Sequence, residues 1–133
     1  MTLENHDVQF LLDGQLFTWN SDKYDTNVKK HGITFEEAAS VFLSPYAVYR
    51  SDNQHSDDEE REIVIGLSST SRFLFVCSCE RQDGEIIRIF SARQATTDES
   101  NEWRNANSGY RTEKQMARAP ASRQSRQRRN KTR

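Results

Sequence analysis

The clearest pattern in the chain is an apolar stripe at helical spacing. Phe35, Ala38, Ala39, Phe42 and Leu43 fall at i, i+3, i+4, i+7 and i+8, the spacing of a helix with one face toward a core. Thr34 and Glu37 stand at capping-box spacing before it, and Pro45 cannot continue it. An earlier helix is expected from a cap at Asn20 or Ser21 to about Lys30, with Gly32 suited to its C-terminal end. Tyr24 and Val28 share one of its faces. After Pro45 the pattern shortens to that of strands. Residues 46–50 read as a short strand and residues 51–60 as a polar loop. Residues 61–67, 72–80 and 85–92 read as three strands of a meander. Ser68 to Ser71 link the first two, and Gln82-Asp83-Gly84 the last two, with Gly84 at the left-handed position of a three-residue turn. Gln15 to Trp19 alternate weakly and suggest a first strand. Thr96 and Glu99 form a second capping-box pair, opening a helix to about Ala106 that Gly109 ends.

These elements predict an α+β fold: a small antiparallel sheet, two N-terminal helices and a C-terminal helix. Residues 1–16 read as a leader or an extra edge strand, residues 17–109 as the folded domain, and residues 110–133 as a basic tail. That tail is rich in Arg, Gln and Ser without periodicity, and is expected to be disordered.

Charge sharpens this division. The net charge of the chain is −1, but residues 1–109 carry −9 and residues 110–133 carry +8. The tail is therefore a separate electrostatic object, able to meet RNA phosphates or an acidic partner. With 34% hydrophobic residues, the chain has no run approaching the roughly 20 apolar residues of a membrane span. No signal-peptide pattern is present, so a cytoplasmic location is expected. Cys77 and Cys79 are the only cysteines. Two apart on one strand, they point the same way and read as small core residues.

The meander makes a test of register possible. Simple turns would pair Ser78 with Arg88 and Arg61 with Ser78, placing Arg61, Ser78 and Arg88 in a row on one face, a row that a one-residue slip destroys. Arg88 lies among Ile86, Ile87, Ile89 and Phe90 and needs a partner once desolvated. Two readings stay open: a diagonal ion pair with Glu80, or a grip on phosphate. Glu60, at the end of the row, is a candidate base. His31 follows Lys29 and Lys30 at a helix C-terminus. This cation set either favours the helix dipole or contacts phosphate, with His31 shuttling a proton. His55 lies in an acidic loop whose spacing matches no cation-binding motif. Trp19 and Trp103 read as core or interface anchors.

Several of these residues form a recognisable set. Phe17-Thr18-Trp19-Asn20, Lys23, Asn27 and the run Lys30-His31-Gly32-Ile33-Thr34-Phe35-Glu36-Glu37-Ala38 resemble the signature of the BrnT family. So do His55-Ser56, Glu60-Arg61 before Ile65-Gly66, Glu80-Arg81, and the run from Ile87 through Arg88 and Arg93 to Thr96. The resemblance spans about residues 17–100. It implies a RelE-like fold and a type II toxin that cuts RNA without metal or other cofactor and arrests translation. It also implies a ribbon-helix-helix antitoxin of BrnA type, with operator DNA reached only through that antitoxin, and no membrane partner. Carried over by motif, the catalytic set is Glu60, Arg61, Arg88, Arg93 and His31, and the RNA-binding set is Lys30, Arg81 and Lys23. Ser78 stands where many relatives carry Tyr or His. The rival expectation is a non-catalytic binding module whose same surface docks the antitoxin in a DNA-bound repressor complex.

Overall fold

In the computed structural model, which describes residues 6–52 and 60–108, nine elements follow one another. They are β1 (Asp7–Leu12), β2 (Gln15–Asn20), α1 (Ser21–His31), α2 (Phe35–Val41), β3 (Val48–Ser51), β4 (Glu62–Leu67), β5 (Phe73–Arg81), β6 (Ile86–Gln94) and α3 (Thr97–Ala106). The expected α+β class holds, but the sheet is larger than expected and mixed. Its order is β1-β2-β6-β5-β4-β3. Every neighbouring pair is antiparallel except β2 and β6, which run parallel through Leu16–Ile86, Phe17–Ile87 and Thr18–Arg88. A parallel neighbour needs a long crossover, and here α1, α2 and the meander supply it.

Residues 7–12, read from sequence as leader or edge strand, form β1 against β2. Their turn is Asp13-Gly14, with φ of 52° and 85°, the two-residue hairpin chemistry that Asp-Gly favours. The expectation passed over this signal.

The helix ends follow their caps. Asn20, not Ser21, caps α1, its side chain accepting from the backbone N–H of Asp22 and Lys23. Gly32 closes the helix at φ 72°, its N–H donating to Val28. Thr34 caps α2 by accepting from Glu37 N–H at 3.1 Å. Glu37 does not complete the box. Its carboxylate instead accepts from Arg72, Ser68 and Thr70, tying α2 to the β4–β5 turn. At α3 the box is complete, since Glu99 accepts from Thr96 N–H while Thr96 Oγ1 accepts from Glu99 N–H.

One sheet face carries the core. Phe17, Trp19, Val64, Leu74, Val76, Ile87, Ile89 and Ala92 meet Ile33, Phe35, Ala38, Ala39 and Val41. Gly66 on β4 permits the close approach of α2, since a Cβ there would lie 3.0 Å from Val41 Cγ1. Trp19 stacks on Tyr24 and meets Phe35 edge-on, so it is a core anchor. Trp103 is buried as well.

Both hairpin registers differ by one residue from the simple expectation. Leu67 pairs with Phe73 and Glu62 with Ser78, while Arg81 pairs with Ile86 and Cys79 with Arg88. A bulge then makes Phe90 an extra residue, between the pairs Ser78–Ile89 and Cys77–Ser91. The row of Arg61, Ser78 and Arg88 therefore does not form. Ser78 turns into the core side, 1% exposed, and cannot serve the site whatever side chain stands there.

The described residues fall into two units, divided after Ser100. The described part of the second completes α3, with Arg104 donating to Asn101 and Asn107 to the Trp103 carbonyl. The acidic loop with His55 and the basic tail lie outside the described residues. Among the described residues no helix is long and apolar enough to cross a membrane.

Candidate active site

β6 loses its β2 neighbour after Arg88. From Phe90 on, its edge faces the C-terminal end of α1 instead. Here Lys30 and His31 border a cleft of about 430 Å³, with Phe75 and Cys77 from β5, Ser91 and Arg93 from β6, and Asp52 after β3. A second cleft of about 310 Å³ shares Lys30, His31 and Ser91 and adds Lys23 and Phe90. Lys23, Lys30 and His31 of α1 thus stand beside a strand that supplies Arg93. Lys30 and His31 lie at the negative end of the α1 dipole, which favours positive charge there.

Two arginines of this region lie on aromatic rings. The Arg93 guanidinium is 3.9 Å from the Phe75 centroid, and that of Arg61 is 3.9 Å from the Phe90 centroid. Such stacking holds a guanidinium flat and limits its conformers. Arg50 approaches Phe75 at 5.8 Å. Arg93 also donates through Nη1 and Nη2 to the two Glu99 oxygens at 2.9 Å each. That bond holds the Glu99 carboxyl below the usual carboxylate range, with help from the Thr96 backbone. Burial pushes the Cys77 thiol up, against smaller opposing pulls from Ser91, Arg93 and Arg61. Cys77 is therefore a neutral thiol in the cleft wall at neutral pH, unsuited to act as a nucleophile.

The expected site residues divide. Lys23, Lys30, His31 and Arg93 line the joined clefts, and Arg61 lies on Phe90, a residue of the second cleft's wall. Arg88 does not. It pairs with Asp7 at 3.0 Å and donates to Thr18 at 3.3 Å, turned toward β1 and β2. Its expected partner Glu80 is opposite Ile87, on the other face, because of the register slip. Glu60 lines a different, acidic cleft with Glu62, Glu80 and Asp83, where desolvation and the like charges of Glu80 and Glu60 raise the Glu62 carboxyl. Arg81 ends β5 at the hairpin, exposed and paired with Ile86. Among the described residues no group of three His, Cys, Asp or Glu is placed to hold a metal ion.

Sequence reasoning missed the roles of Arg50, Asp52, Phe75 and Phe90, since nothing local says which residues a bulge or crossover brings together. It gave Asn27 no role either, yet a signal was there. Asn27 follows Tyr24 by three positions on the inward face of α1, and a polar residue on that face needs buried partners.

Comparison with known proteins identifies a family. A family model described as the ribonuclease toxin BrnT of a type II toxin–antitoxin system matches residues 19–99. That stretch is more than half of the chain and holds every residue of the joined clefts. Among solved structures, the chain is similar to the crystal structure of the ribonuclease toxin BrnT from Brucella abortus. The match has 25% identity and a TM-score of 0.45, over 59% of this chain and 94% of that one. Comparison with curated proteins returns no match. From its extensive family match, the chain belongs to the BrnT family of ribonuclease toxins of type II toxin–antitoxin systems.

Proposed function

We propose that the joined clefts beside the α1 terminus are the ribonuclease site, and that cleavage there needs no metal. The carrying observation is that one cleft gathers Lys30, His31 and Arg93, with Arg61 held on the adjoining Phe90. The 2′-hydroxyl of a bound RNA attacks the adjacent phosphorus while His31 takes its proton. The O2′–P bond forms and the P–O5′ bond breaks. The products are a 2′,3′-cyclic phosphate and a 5′-hydroxyl, whose oxygen takes its proton from solvent. Arg93 and Arg61 stabilise the extra charge on the pentavalent phosphate. Lys30 and Lys23 hold neighbouring phosphates. Glu60, Arg81 and Arg88 lie outside this set.

The test is RNA integrity after adding purified protein in EDTA, with and without ribosomes, beside Arg93→Ala and His31→Ala. Cyclic-phosphate products from the native protein alone are expected. Intact RNA under both conditions would sink the catalytic reading. The wider role follows the family: RNA cutting that arrests translation in the cytoplasm, neutralised by a ribbon-helix-helix antitoxin of BrnA type.

A second reading has one observation in its favour. Arg93 is already paired with Glu99, which offsets the charge a phosphate would meet. A non-catalytic module that docks the antitoxin in a repressor complex would tolerate this. It predicts normal antitoxin binding with no RNA cleavage.

A further inference from the structure

We infer that Asn27 is a positioning residue for this site, setting the place of His31 relative to Arg93. The inference rests on the proposed ribonuclease reading and adds to it a residue in the cleft wall whose amide is fully engaged by backbone groups, so that it acts through the residues it places.

The observation is a side-chain amide that stands in for a missing strand. Beyond Arg88, β6 has no β2 partner for its outward backbone groups. Asn27 supplies one. Its Oδ1 accepts from Ala92 N–H at 3.1 Å, and its Nδ2 donates to the Ala92 carbonyl at 2.8 Å. The same Nδ2 donates to the Ile33 carbonyl at 3.0 Å. Both donor hydrogens and the acceptor are used, so the amide orientation is unambiguous. The flipped amide would set its oxygen against two carbonyls. Asn27 is 5% exposed, and water cannot easily replace what it gives.

The positions it joins are the ones the chemistry needs. Ala92 lies between Ser91 and Arg93, both in the cleft wall. Ile33 lies two residues after His31, across the left-handed Gly32. One amide therefore ties the strand carrying Arg93 to the turn carrying His31. The Arg93–Glu99 and Tyr24–Glu36 bonds hold other elements. Without the amide, the core still closes through Ile33, Phe35, Ile89 and Ala92, but the turn is free to shift along the strand edge. A shift of about 1 Å in a reacting pair costs about a hundredfold in rate.

The experiment compares Asn27→Ala and Asn27→Ser, each alone and with His31→Ala. It reads cleavage of a labelled single-stranded RNA, or of ribosome-bound RNA if the native protein needs ribosomes, and thermal unfolding in parallel. Asn27→Ser keeps a hydroxyl that can satisfy one backbone group but cannot bridge Ala92 and Ile33, and it buries no charge, so it covers the case in which the alanine variant does not fold. The expected result is a folded variant with kcat down about a hundredfold and KM little changed. In the His31→Ala background the Asn27 change should then cost no further cleavage, although it lowers unfolding temperature equally in both backgrounds. A folded variant that cleaves like the native protein overturns the inference. So does an equal further loss in the His31→Ala background, which marks a general structural role. Full cleavage by His31→Ala alone would overturn the site reading itself, and is seen without reference to Asn27.

Discussion

Arg93 and Glu99 form a two-bond pair, each terminal nitrogen of the guanidinium donating to one carboxylate oxygen at 2.9 Å. Glu99 is itself fixed by the α3 cap, so the pair anchors Arg93 while it lies on Phe75. Phosphate must compete with this carboxylate. Glu99→Gln should therefore bind RNA more tightly at low salt, with the salt dependence steeper by about 0.7 in log–log slope, the value for one added contact on a single strand. Fluorescence anisotropy against salt checks this, and an unchanged slope would place Arg93 outside the phosphate path.

The Glu37 cluster makes an acid-sensitive latch. The Arg72 hydrogen bond chiefly, with Ser68 and Thr70, holds the Glu37 carboxyl down at about 2, well below its ordinary 4.5. A carboxyl depressed on folding adds stability that is complete above its unfolded value and lost as pH falls toward its folded value. Glu37→Gln should cost about 2 kcal/mol at neutral pH, a figure discounted because Arg72 is partly screened. The difference from native protein should shrink from about pH 4.5 downward and vanish near pH 2. Urea unfolding across this window reads it directly.

His31 and Glu60 offer a choice of base. The acidic cleft around Glu60 is a poor place for a phosphate, since like charges repel. Glu60→Gln should retain cleavage within about threefold, whereas His31→Ala should lose about 10² or more. The reverse pattern would transfer the role to Glu60.

Arg61 depends on its ring. Phe90→Leu removes the face on which the guanidinium lies 3.9 Å away, freeing the arginine without removing its charge. Cleavage should fall by about a factor of five, less than in Arg61→Ala, because a stack of this kind is worth about 1 kcal/mol. Equal rates for Phe90→Leu and native protein would show that Arg61 needs no such support.

Gly32 holds the turn after His31 at φ 72° with open space around it. Gly32→Ala meets no clash, so its cost is backbone strain alone, about 1 kcal/mol. A fall in unfolding temperature with preserved far-ultraviolet dichroism is the expected result.

Local chemistry determined much of this protein. The Thr34 cap, the stripe from Phe35 to Phe42, Gly32 and the α3 box are written in short-range spacing, because helix ends and faces depend on residues three or four apart. The resemblance carried by the run Lys30 to Ala38 likewise pointed to the family before any contact was known. Tertiary structure decided the rest. The one-residue slips and the bulge at Phe90 redistributed Arg61, Ser78 and Arg88, since side-chain direction reverses with each residue of register. The parallel pairing of β2 with β6 ends at Arg88, and that ending opened the edge that Asn27 fills and the cleft that His31 and Arg93 share. No local rule specifies where a strand loses its neighbour, because it depends on how far a crossover brings two distant segments together.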